Sequence, residues 1–305
     1  MITQLPYARR GFGALALSFA LALVASLPPH VAAQDQQTKP EEQQEGAQAD
    51  SPNLAALKRV AEARSKKPSD WTGEDLAVMS AFAYRSINFD HFKKVFNTGR
   101  EEGRITIATT NGELDGEFMR RYSFGPKASQ DRVRLDIIFG TNETPDKQLR
   151  YTLTYNGASV WAAQANKYIT PDAAAAAAFK ASIVNDYTAL FRYEEEGATL
   201  ARLPKTKIQG LELEVVEMTR ADGSKVRFFI SLKSYKILHV EYDVVLVEGQ
   251  NPTNFRETYS DWRVTQEVLV PGKRTLRQNN QIVQTIDLLT SSYGMTHEDS
   301  VFLQL

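Results

Sequence analysis

Alternation is the dominant pattern along the chain. Between residues 131 and 139, Val133, Leu135, Ile137 and Phe139 alternate with Arg132, Arg134 and Asp136, and between 149 and 155 Tyr151, Leu153 and Tyr155 fall on one face. Successive strand side chains point to opposite faces, so this period marks a sheet with one face in a core and the other in water. The same period recurs at Ile105 and Ile107, at Val226, Phe228 and Ile230, and at Leu238, Val240, Tyr242, Val244 and Leu246. The pairs Asn111-Gly112, Asn156-Gly157, Asp222-Gly223 and Asn279-Asn280 punctuate these runs as tight turns do. The pattern predicts strands over 103–110, 113–124, 131–139, 149–155 and around Val160 and Trp161. Further strands are predicted over 211–219, 225–231, 235–247, 255–262, 268–276 and 282–289. Consecutive hairpins of this kind form an antiparallel meander that curls into one domain, residues 54–305.

Three stretches carry helical spacing instead. Residues 54–65 form a short candidate ended by Lys66-Lys67-Pro68. Thr72 followed by Asp75 is a capping-box start, after which Leu76, Met79, Ala83 and Ile87 share a face. The third helix is predicted to start with Thr170 as cap and Pro171 at its first position, and the run of alanines from 173 to 178 has the highest helix propensity available. Phe179, Ile183, Tyr187 and Leu190 then make one apolar stripe until Gly197, and Glu194, Glu195 and Glu196 are expected to fray against the helix dipole. This helix is expected to lie on the sheet.

The N-terminus has a different character. Arg9 and Arg10 precede an uncharged run from Phe12 to Leu27, then Pro28-Pro29 and the small residues Val31, Ala32 and Ala33. This matches a cleaved export signal over residues 1–33, because spanning a bilayer takes ~20 apolar residues and the prolines close the run early. Arg9-Arg10 fits either a twin-arginine signal or an ordinary basic start. The expected location of the mature chain is the periplasm. Residues 34–53 are rich in Gln, Glu, Asp and Pro without an aromatic, which predicts a disordered acidic leader.

Composition narrows the chemistry. The chain holds no cysteine, so neither disulfides nor a lipid-bearing cysteine can tie it down. Its formal charge is -1, and Lys and Arg are interspersed with acids, which argues against nucleic acid as a partner. His239, Glu241 and Asp243 alternate on one strand face and could present metal ligands, but an amphipathic strand with Leu238, Val240, Tyr242 and Val244 behind it needs such a solvent face anyway. Gly157-Ala158-Ser159-Val160-Trp161 lacks the last glycine of a nucleophile elbow and sits in a hairpin. Only His91, His239 and His297 follow the expected signal. These features point away from an enzyme, and no cofactor is expected.

The order of elements resembles the LolA-like lipoprotein-carrier superfamily. The residues that carry the likeness are Leu153 to Trp161 (a strand, an Asn-Gly turn and an aromatic-bearing strand), Tyr259-Ser260-Asp261-Trp262-Arg263 through Val270-Pro271, Asn279-Asn280 to Leu288, and Glu298 to Phe302. The resemblance covers most of residues 72–303 and implies an α+β fold, a half-open antiparallel β-barrel whose concave face is covered by helices. In such carriers an arginine on an early strand helps hold the lid helices, and Arg120 and Arg121 lie near that place. Extra length in the leader and between Asn88 and Arg104 departs from the simple carriers. The expected function is a carrier or binding protein that shelters an apolar ligand, either lipid or lipoprotein acyl chains. Its expected lining is Trp161, Tyr168, Phe179, Ile183, Tyr187 and Leu190. The alternatives are an envelope scaffold with a packed barrel and a protein partner and, as the weakest, a hydrolase. Peripheral membrane contact fits the carrier reading.

Overall fold

The computed structural model describes residues 52–84, 96–140, 148–165 and 167–303. The expected export signal, the leader up to residue 51, Ile87 and His91 lie outside these residues. Helix α1 (Pro52–Ser65) starts two residues before the expected point, and α2 spans Gly73–Ala83. Strands β1 (Thr98–Thr109), β2 (Gly112–Ser123), β3 (Arg132–Phe139), β4 (Leu149–Tyr155), β5 (Val160–Gln164) and β6 (Lys167–Ile169) follow. Then come helix α3 (Ala173–Val184), a 3₁₀ segment (Tyr187–Arg192) and the strands β7 (Thr199–Ile208), β8 (Leu211–Thr219), β9 (Lys225–Ser231) and β10 (Ile237–Val244). The last strands are β11 (Thr253–Thr265), β12 (Val268–Gln278) and β13 (Gln281–Tyr293), and a 3₁₀ turn (Asp299–Phe302) follows them.

All thirteen strands form one antiparallel sheet in the order β6-β5-β4-β3-β2-β1-β13-β12-β11-β10-β9-β8-β7. Two meanders are therefore joined through β1 and β13, and the sheet stays open at β6 and β7. The chain passes from one edge to the other through α3 and the 3₁₀ segment. One core cluster fills the concave side, where Ile105, Phe228, Ile230, Val240 and Phe255 meet Leu76, Met79 and Tyr84 from the α2 region. Each such fully buried side chain contributes about 1.5–3 kcal/mol.

Strand β7 was absent from the pattern reading because Pro204 interrupts it. Pro removes a ladder donor and is confined to edges and bulges, and here it sits on the edge strand within a register shift between Leu203 and Thr206. The edge is tied down by Arg202, whose Nη1 donates to the carbonyls of Pro68 (3.0 Å), Ser69 (3.1 Å) and Trp71 (2.9 Å).

The third helix differs most from expectation. Its cap is Asp172, whose carboxylate accepts from Ala175 N at 3.0 Å, rather than Thr170. It ends at Val184, because Asp186 caps a new turn by accepting from Thr188 N at 2.8 Å, a local bond that competes with helical continuation. The stripe is thereby split. Phe179 and Ile183 stay on α3, while Tyr187 and Leu190 go into the core from the 3₁₀ segment. The glutamates beyond it are anchored rather than frayed: Glu196 accepts from Arg220 Nε at 2.7 Å, and Glu194 pairs with Arg59.

Candidate functional site

Between α3 and the concave face lies a cavity of about 140 Å³. Its apolar wall consists of Ile107 from β1, Phe118 from β2, Leu135 and Ile137 from β3 and Leu153 from β4, with Leu276 and Ile286 across from them. Ala175, Ala178, Phe179 and Ile183 of α3 form the roof. The alanine run that favours the helix also leaves room beneath it, since small side chains on that face do not reach the sheet. Arg274, Leu276 and Gln278 occupy alternate positions on β12, so the cavity extends ~13 Å along that strand. Ala108, Val283 and Gln284, nearest the hairpin turns, are half-buried, whereas Glu101 and Leu288 are buried, so the cavity opens toward the turns.

Its inner end is charged. Glu101 is 3% exposed. Its Oε1 accepts from Arg274 Nη2 at 2.8 Å and from Tyr293 Oη at 3.3 Å, and its Oε2 accepts from Arg120 Nη1 at 3.1 Å. Arg120 Nη2 also lies 3.8 Å from Asp186 at the lid's break. Glu257 lines the cavity beside them, and its Oε2 accepts from Tyr259 Oη at 2.7 Å. Burial raises the Glu101 carboxyl, but the guanidiniums of Arg274 and Arg120 outweigh it and leave the carboxyl below its ordinary range. For Glu257 burial wins over Arg274 and the Tyr259 bond, and its carboxyl is raised. The guanidinium of Arg274 holds its proton more tightly than usual, because Glu101 overcomes the penalty of burial.

The structure brings Arg120, Phe179 and Ile183 to the cavity and distributes the other predicted lining residues elsewhere. Tyr187 and Leu190 are 2% and 0% exposed in the core, where Tyr187 packs against Tyr84 and Tyr259 at 5.7 and 5.2 Å between ring centres. Trp161 pairs in register with Thr154, and Thr154 with Arg134, which places it on the convex face. Tyr168 is half exposed on the edge strand β6. Arg121 points away from Arg120 and pairs with Asp136 at 3.1 Å. Sequence reasoning missed Glu101, Glu257, Arg274 and Asp186. Glu257 did carry a signal, because it falls in phase between Phe255 and Tyr259.

The convex face also departs from expectation. A register shift between Ile237 and His239 turns Leu238 to the convex side, where it packs with Leu213, Val215 and Phe229 in a small second cluster. His239 is consequently buried rather than solvated. Its Nδ1 lies 2.9 Å from Thr258 Oγ1, and burial together with Arg256 lowers its pKa to about 4. Glu241 accepts from Arg256 and Asp243 from Asn254. Among the described residues no group of three or more His, Cys, Asp or Glu side chains is placed to hold a metal ion.

No protein-family model matches the chain, and no curated protein matches it. Among solved structures it is similar to an outer membrane lipoprotein-sorting protein domain from Vibrio parahaemolyticus, with 11% identity over 73% of this chain and 97% of the other and a TM-score of 0.46. It is also similar to a LolA superfamily protein from Nitrosomonas europaea, with 10% identity, 76% and 98% coverage and a TM-score of 0.46. A DUF1329 family protein from Desulfovibrio piger gives 9% identity, 76% and 97% coverage and a TM-score of 0.45.

Proposed function

We propose that this protein is an exported carrier or binding protein that shelters an apolar ligand, a lipid or a lipoprotein acyl chain, between the sheet and α3. The observation that carries this reading is the cavity of about 140 Å³ with its apolar wall and helical roof. That volume is close to the ~150 Å³ of an apolar cavity able to admit benzene. Each CH₂ moved out of water contributes ~0.8 kcal/mol, so the driving force grows with the length of chain enclosed.

Ala178 provides the test, since it forms part of the roof. Purified protein is expected to bind a fluorescent fatty-acid analogue and to carry lipid detectable by native mass spectrometry, and Ala178→Phe is expected to abolish both while the fold persists by circular dichroism. Equal binding by wild type and variant would refute the reading. Export predicts a mature N-terminus at Gln34, which mass spectrometry of the secreted protein reads directly. A second reading, an envelope interaction protein, is supported by the open convex depression where Leu203, Pro204 and Phe229 lie beside the charged groups of Arg227, Glu241 and Arg256. Loss of partner capture on deleting residues 34–53, with lipid binding unchanged, would favour it.

A further inference from the structure

We infer that the cavity takes up its apolar ligand together with a proton, and that Glu257, on the cavity wall, is the group that holds this proton. The inference rests on the carrier reading above and adds a coupling to it.

Two acids line the cavity, and they are placed differently. Glu101 is 3% exposed and accepts from two guanidiniums. Glu257 sits on β11 directly across from Val240 of β10 and Leu276 of β12, so apolar side chains flank it on both sides. Its Oε2 accepts from Tyr259 Oη at 2.7 Å, but among the described residues no Lys, Arg or His forms an ion pair with it. Glu257 is only partly buried, and its Oε1 accepts no hydrogen bond among the described residues and is not closed over by protein atoms, so this oxygen faces the cavity.

The groups around Glu257 are committed elsewhere. Arg274 of β12 pairs with Glu101 of β1, and Arg120 of β2 is shared between Glu101 and Asp186 of the 3₁₀ segment. Burial keeps the hydroxyls of Tyr242 on β10 and Tyr259 protonated. The α3 residues over the cavity are Ala175, Ala178, Phe179, Ser182 and Ile183, none of them charged. An ionised Glu257 therefore relies on water in the cavity for its solvation. A chain running from the turns toward the inner end displaces that water, which penalises the unpaired charge far more than the neutral carboxyl.

The ligand consequently prefers the protonated protein. Burial already holds the carboxyl above its ordinary value of 4.5 against the pull of Arg274, Tyr259 and Arg120, with Asp186 adding to the rise, and the ligand raises it further. Affinity is greatest below the value in the empty protein, falls as pH rises through it, and levels off above the value in the complex.

The test is isothermal titration of the full mature protein with butylbenzene, which has no titratable group, from mildly acid to mildly alkaline pH in two buffers of different protonation enthalpy. Wild-type affinity is expected to fall at least about fivefold as pH rises, by up to about tenfold per pH unit, with net proton uptake on binding in that window. Glu257→Gln mimics the neutral carboxyl and keeps an acceptor for Tyr259, so its affinity is expected to be independent of pH, without proton uptake. Wild-type affinity unchanged across the range with no proton uptake, or the same pH dependence in Glu257→Gln, would overturn the coupling and leave the carrier reading standing. Should the variant fail to fold, the buffer comparison on the wild type decides alone. If butylbenzene binds at no pH, the carrier reading falls and this inference with it.

Discussion

Replacing Glu101 by glutamine removes the centre of the ion network that joins the two meanders. Its partners come from β2 (Arg120), β12 (Arg274) and β13 (Tyr293), and Arg120 extends the connection to Asp186 beside the lid. The side chains of Glu101, Arg120 and Arg274 are 4%, 13% and 9% exposed, so water cannot replace the lost charge. Hydrogen bonds to charged groups contribute roughly 1.5–3 kcal/mol each, and stranding a buried charge costs about 3–5 kcal/mol, so the variant is expected to lose about 3–5 kcal/mol. Total stability is on the order of 5–15 kcal/mol, and with a urea slope of about 2–3 kcal/mol/M the unfolding midpoint should fall by about 1–2.5 M. The effect depends on pH. The Glu101 carboxyl is held below its ordinary value of 4.5, so its contribution is complete above that value and disappears as pH falls through the lower folded value. Wild type and variant should therefore converge in acid. The double variant Glu101→Gln/Arg274→Gln should recover part of the loss, since removing both partners costs less than stranding one. A loss under about 1 kcal/mol at neutral pH, or a gap unchanged in acid, would show that the network does not stabilise the fold as described.

Three further changes probe the frame around the site. His239, neutral and buried with a pKa of about 4 against 6.5 unfolded, favours the fold above pH 6.5, and this contribution of about 3 kcal/mol is lost between pH 6.5 and 4 as the unfolded chain takes up the proton. His239→Gln should flatten that part of the pH dependence in urea titrations, and an unchanged slope would contradict it. Asp172→Ala removes the cap of α3 and should cost about 1 kcal/mol, with earlier thermal loss of helical signal. Gly157 has φ +90, and a Cβ there would lie 2.1 Å from Ser129 O, so Gly157→Ala should cost more than about 1 kcal/mol; an unaltered melting temperature would rule out the close approach.

The sheet was largely readable from the chain because its strands alternate and its turns use Asn-Gly and Asp-Gly. The ranges 149–155, 211–219 and 225–231 match β4, β8 and β9. Departures arose where tertiary demands outweigh local pattern. Pro204 hid an edge strand, and the bulge before His239 changed the face on which Leu238 and the histidine act. Asn185 and Asp186 ended a helix whose apolar stripe continued past them. At the site, Phe179 and Ile183 were legible because they follow helical spacing. The charged inner end was not, since an acid or arginine at an inward position looks like a polar residue out of phase until its partners from other strands are known. Trp161 shows the converse: its size suggested the cavity, but register alone decided its face.

The only covalent passage between the sheet's two free margins is the segment containing α3. The roof of the cavity is thus also a strap that links the outer walls. Lifting it would pull on β6 at one side and β7 at the other, so unroofing the cavity and spreading its walls are one mechanical event. The clamp of Arg202 on the carbonyls of the α1–α2 connection ties β7 down, whereas β6 at the other margin is only three residues long.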